Sequence, residues 1–231
     1  KDGLLKGKKQ LIEAAGLGHK PNVVPPGEPY IHGPQRDVEL GWHPVAGFGG
    51  KWFAEKTGLG KAITKHVHHY PDPTQHWAVL VGDYVHELWM DEHLDIIYIN
   101  EKINREEWHT YEVGKTRFND EALRQAGEMV IHNMREKKAA YNLISNNCQN
   151  FAVLLLDSIQ VGAHRDFGTA FAVYQRATGK GTINDLFAEE TEEEKEEAEH
   201  PESHRVETLE NAKKVMDENT TKLDNHKSIF S

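Results

Sequence analysis

The sequence predicts an α+β fold, an antiparallel sheet packed on the helix that bears the only cysteine, Cys148. Three observations lead there. Four strand-like runs lie between His76 and Val113, and a Gly82-Asp83 pair joins the first two as a hairpin. Two segments with apolar residues at helical spacing follow, Asn119 to Lys138 and a stretch from around Asn146 to Ile159. The cysteine falls at the start of the second.

Taken in order, residues 5–15 (LKGKKQLIEAA) read as a short helix or arm. Residues 16–50 are dense in Gly, Pro and His, which is loop chemistry with room for one short strand. Trp52 to Val67 is ambiguous between helix and strand. A PDPTQ break precedes HWAVLV, a buried strand, and YVHELW is its hairpin partner. DIIYIN (95–100) and EWHTYEV (107–113) are further strands. Asn119 or Asp120 caps the first helix, whose Leu123, Gly127, Val130, Ile131 and Met134 share a face. Phe151, Leu154, Leu155 and Ile159 form the buried stripe of the second. Residues 163–187 have room for another short helix. The chain thus divides into a loop-rich extension (1–70), a domain that holds the strands and the cysteine helix (71–187) and an acidic tail, flexible or helical (188–231).

Charge separates the last two parts. The net charge is -10, yet residues up to Leu186 hold 23 acids and 21 bases, against 14 acids and 6 bases from Phe187 onward. The globular part shows no basic face, which argues against a nucleic-acid partner. The tail reads as a solvated segment, or as one that binds a protein partner. A single cysteine excludes an internal disulfide and tilts the reading towards an intracellular, reducing compartment. No apolar run approaches the roughly 18 residues of a membrane span, and no signal-peptide pattern opens the chain.

The most informative segment is YNLISNNCQNFAVLLLDSI. A short strand-like piece leads into polar Ser145, Asn146 and Asn147, all plausible caps, and then into an apolar helix. Cys148 therefore belongs in the first turn. There the helix offers unpaired N–H groups and partial positive charge, both of which stabilise a thiolate. Such surroundings and a nearby imidazolium lower a cysteine pKa from about 8.5 to about 3.5–7.5. The same N–H groups suit an oxyanion. A lone cysteine is otherwise a small buried hydrophobe, so a base must be found.

The chain has 15 histidines, and position must choose among them. His76 opens the first hairpin strand, at a rim, and His86 lies on the second. A base on one strand with an orienting group on its neighbour is what a thiol–imidazole site needs. The turn decides whether they meet. A two-residue turn pairs Val81 with Tyr84, sets His86 opposite Val79 and faces it away from His76; a longer turn or a bulge restores a shared face.

HWAVLVGDYVHEL followed by YNLISNNCQNFAVLLL resembles the lecithin:retinol acyltransferase-like family, relatives of the NlpC-type peptidases with a circularly permuted papain-like fold. The matching residues are His76 with Trp77, His86, and Asn147-Cys148 with Phe151; Gln149 and Asn150 replace the family's usual Glu-His. The resemblance covers roughly residues 74–160. It implies a thiol hydrolase or acyltransferase acting on an acyl or peptide-type substrate, in which His76 takes the Cys148 proton, His86 holds the His76 ring and an acyl-enzyme thioester forms. The Cys148 backbone N–H and a donor near Gln75 would hold the oxyanion, with Trp77 and Asn147 as further substrate-side residues. No cofactor is needed. The apolar C-terminal anchor of the family's membrane-bound members is lacking in this sequence.

Three rivals stand beside this reading. A desumoylating isopeptidase of the PPPDE type has a similar early His and late Asn-Cys block, and a non-catalytic binding module could use the same fold. His66 and His68 of an HVHH run share a strand face and could ligate zinc, but a polar stretch leading to the site's rim explains them better, so no metal is assigned. Trp52, Trp77, Trp89 and Trp108 suit either the core or the wall of a cleft for an apolar substrate.

Overall fold

A computed structural model of the chain describes residues 18–44, 75–141, 147–199 and 201–220. Every residue of HWAVLV is buried, so this strand is covered on both faces and reads as one apolar run. It is the middle of a five-stranded antiparallel sheet: β1 (Arg36–Pro44), β2 (Gln75–Val81), β3 (Tyr84–Met90), β4 (Ile96–Lys102) and β5 (His109–Thr116), in the order β4-β3-β2-β1-β5. Among the described residues five helices follow: α1 (Asp120–Lys137), α2 (Cys148–Ile159), α3 (His164–Thr178), α4 (Glu192–Glu199) and α5 (Pro201–Asn219). The α+β class is as expected. The readings of residues 5–15 and 52–67, and the HVHH run, lie outside the described residues.

The hairpin turn takes two residues. Val81 pairs with Tyr84 and Val79 with His86. Gly82 has φ +59°, the left-handed value that a type II′ turn places on glycine at its first central position. The register puts Trp77, Val79 and Val81 on the face towards the helices and His76, Ala78 and Leu80 on the other. On β3, Tyr84, His86 and Leu88 share the helical face, while Val85, Glu87 and Trp89 share the face of His76.

The one strand expected within residues 16–50 is longer and more central than expected. β1 spans nine residues between β2 and β5, with Val38 and Leu40 in the main core. Residues 36–44 are thus part of the sheet and not an extension wrapped around it.

On the helical face, α2 packs against β2 and β3 and α1 against β4 and β3. The expected face of α1 is buried, and Asn119 caps it, its Oδ1 accepting from the Ala122 N–H at 2.9 Å. The α2 stripe is Phe151, Ala152, Leu155, Leu156 and Ile159. Leu154 instead points outward at 41% exposure, because position 154 is turned about 110° round the helix from the Cys148–Leu155 line.

The acidic segment is folded against the rest. α5 buries Ala212, Val215 and Met216 and packs on α2 and β5. Glu197 of α4 accepts from Arg117 at 2.7 and 3.1 Å, and Glu194 meets His32 at 2.8 Å. Its carboxylates in part pair with residues from earlier in the chain and are not wholly a solvated run.

Candidate active site

Cys148 is the first residue of α2 and a free, buried thiol, 7% exposed. Asn147 sets it there through a reciprocal cap. Its Oδ1 accepts from the Asn150 N–H at 3.0 Å, and Asn150 Oδ1 accepts from the Asn147 N–H at 3.4 Å. Asn147, expected among the substrate-side residues, has its side-chain oxygen committed to starting the helix. We expect Asn147→Ala to cost about 1 kcal/mol in urea unfolding. It should also slow alkylation of Cys148, because the turn that orients the sulfur frays.

His76 lies near the start of β2, on the face away from the helices by strand parity, yet its ring meets Cys148 at this helix start. The Cys148 thiol is within hydrogen-bonding reach of the buried His76 ring. On the ring's other side, Nε2 meets Glu87 Oε2 at 2.5 Å. A carboxylate accepts, so Nε2 donates, and Nδ1 is the nitrogen left to face the sulfur. Burial pulls the His76 pKa down, but hydrogen bonds to Cys148 and Glu87, together with their negative charges, outweigh it and lift the value to about 10.

His86 does not hold the His76 ring. The two-residue turn puts it on the helical face, where its Nδ1 meets Tyr98 Oη at 2.7 Å. Burial and the positive charge of Arg36 push its pKa down to about 3, so it is a neutral core residue. The group beside His76 is its chain neighbour Glu87, one residue on and hence on the opposite face. That parity was available from the Gly82-Asp83 turn.

Of the remaining expected residues, Trp77 is fully buried on the helical face and stacked on Trp42 at 5.2 Å. Gln75 is partly exposed at the start of β2, paired with Pro44. No family model, curated protein or solved structure matches the chain.

Gln75 Oε1, Trp77 Nε1, His86 Nε2 and Glu87 Oε1 are all buried without a hydrogen-bond partner. Buried polar atoms normally find partners, and a cluster of exceptions calls for a functional reason or bound water. By strand parity Gln75, Trp77 and His86 belong to the helical face of the hairpin, and Glu87 to the face of His76.

Aromatic rings wall the His76 side. Trp89 meets the His76 ring edge-on at 5.5 Å and Trp108 lies 6.0 Å away. His43 of β1, directly across from His76 in the register, stands at 5.4 Å. His43 and Glu87 were both missed in the sequence, although strand parity could have found Glu87. Trp52 lies outside the described residues. Among the described residues no group of three or more His, Cys, Asp or Glu could hold a metal ion, and no helix is long and apolar enough to cross a membrane.

Proposed function

We propose that this protein is a thiol hydrolase or acyltransferase whose nucleophile is Cys148, with His76 as base and acid and Glu87 holding the His76 ring. The observation that carries this reading is the line Cys148–His76–Glu87, assembled at a helix N-terminus from two adjacent strands. It is also the site a permuted papain-like fold would have, with the His strands ahead of the Cys helix. The resemblance to the lecithin:retinol acyltransferase-like family supports that assignment.

The chemistry follows from the contacts. Cys148 gives its proton to His76 Nδ1, and Glu87 stabilises the imidazolium. The thiolate attacks an ester or amide carbonyl. The oxyanion is held by the Cys148 backbone N–H, with the Gln75 side-chain amide as second donor. His76 then protonates the leaving group, and a thioester on Cys148 remains for water or another acceptor.

The test is alkylation by iodoacetamide near neutral pH, followed by intact mass. Rapid labelling that falls off in acid, and that drops roughly a hundredfold in His76→Ala, is expected. Labelling at the rate of a free thiol in both proteins would leave a binding module as the answer.

One observation favours a second reading. The acyltransferase-like resemblance includes a second histidine, which the isopeptidase pattern of an early His and a late Asn-Cys block does not need, and His86 does not serve the site. Short acyl esters and ubiquitin-like probes with a C-terminal electrophile separate the two. Labelling of Cys148 by the ubiquitin-like probes alone would establish the isopeptidase.

A further inference from the structure

In the resting site both His76 nitrogens are engaged, one with Glu87 and the other with the sulfur. A second imidazole stands beside it. β1 pairs with β2 so that His43 lies directly opposite His76 on the same face, with ring centroids 5.4 Å apart and planes at 64°. Trp108 packs near-perpendicular on His43 with ring centroids 4.4 Å apart, and helps fix the ring's place.

The tautomer of His43 can be read from its own hydrogen bond. Its Nδ1 lies 2.8 Å from the Pro44 carbonyl oxygen, which can only accept. The ring proton therefore sits on Nδ1, and in the neutral ring Nε2 carries an open lone pair. Among the described residues, no hydrogen bond occupies that nitrogen. His43 is partly exposed where His76 is buried, so it is the more solvent-accessible of the two rings.

We propose that His43 is a catalytic residue of the second half-reaction, the group whose Nε2 receives the proton of the incoming acyl acceptor, a hydroxyl compound such as water. This rests on the reading of Cys148 as the nucleophile that carries the acyl group. After acylation His76 is neutral, having protonated the leaving group. The acceptor oxygen bonds to the thioester carbon as its proton moves to His43 Nε2. The carbon–sulfur bond then breaks, and its electron pair returns to Cys148 as thiolate. The proton passes from His43 to His76, which restores the thiolate–imidazolium pair and leaves His43 neutral for the next cycle.

The experiment uses the full chain and p-nitrophenyl acetate. Nitrophenol release reports acylation, and intact mass with peptide mapping follows the acetyl group on Cys148. In His43→Ala and His43→Gln the release phase should stay within about twofold, while loss of the acetyl group slows at least tenfold. Added imidazole should restore the loss in His43→Ala. Unchanged deacetylation in both variants overturns the assignment, as does equal slowing of the two phases, which would mean that His43 only props the His76 ring. Failure of the unaltered protein to form any acetyl adduct on Cys148 overturns the nucleophile reading itself, and the His43 assignment with it.

Discussion

Replacing Glu87 with glutamine is expected to lower the pH at which the thiolate–imidazolium pair comes apart and to slow turnover by roughly three orders of magnitude. The carboxylate does two things at 2.5 Å from Nε2. It fixes the tautomer that leaves Nδ1 bare for the thiol proton, and its charge favours the imidazolium. An amide keeps an oxygen but can also turn its NH2 to the ring, which stabilises the wrong tautomer. The alkylation profile reads this directly. In the unaltered protein a second rise in rate is expected near pH 10, where His76 loses its proton and the thiolate its partner. Removing a negative charge favours the neutral ring, so in Glu87→Gln that step moves down. Stability follows the same sign. The His76 value is raised from 6.5, so its contribution is complete below pH 6.5 and is lost as pH rises through about 10. Superimposable profiles for the two proteins would remove Glu87 from the site.

Acidification should unfold this protein early, with His86 as a main cause. Its value falls from 6.5 to about 3 on folding, through burial and the charge of Arg36. The neutral ring is what the core tolerates. Its contribution is therefore complete above pH 6.5 and is lost as pH falls towards 3, on the order of 4 kcal/mol by the end of that range. His86→Asn keeps a partner for Tyr98 Oη and removes the titration. The variant should be about 1–2 kcal/mol less stable at pH 7, from the cavity and the lost ring. Its urea midpoint should then fall much less between pH 6.5 and 4. Parallel losses in the two proteins would show that carboxylates, not His86, set the acid limit.

Much of this was legible in the sequence where a local rule and a long-range need agree. Asn147 and Cys148 could be placed because a polar cap followed by an apolar stripe defines a helix start. His76 could be placed because a break precedes its strand. Glu87 was missed although the turn implied it: a two-residue loop makes neighbours 86 and 87 exchange faces, and the more familiar imidazole drew the assignment. β1 was underread because RDVELGWHP offers only Val38, Leu40 and Trp42 in alternation, amid glycine and proline. What makes it a central strand is β2 on one side and β5 on the other, 30 to 80 residues away in the chain. The acidic segment was read by composition alone, which cannot see that Arg117 and His32 wait for Glu197 and Glu194.

The place of β1 has a consequence for anyone who would trim this chain. A fragment covering residues 71–187 keeps every proposed group except His43, yet it lacks the strand that joins β2 to β5. Such a fragment would carry two open strand edges facing each other across a one-strand slot. An open slot of this kind invites pairing between copies. It is also a receptor for a nine-residue peptide of sequence RDVELGWHP, which would enter by backbone hydrogen bonds and bring its own imidazole. The protein is in this sense divisible by strand complementation, with the imidazole of His43 carried on the smaller piece.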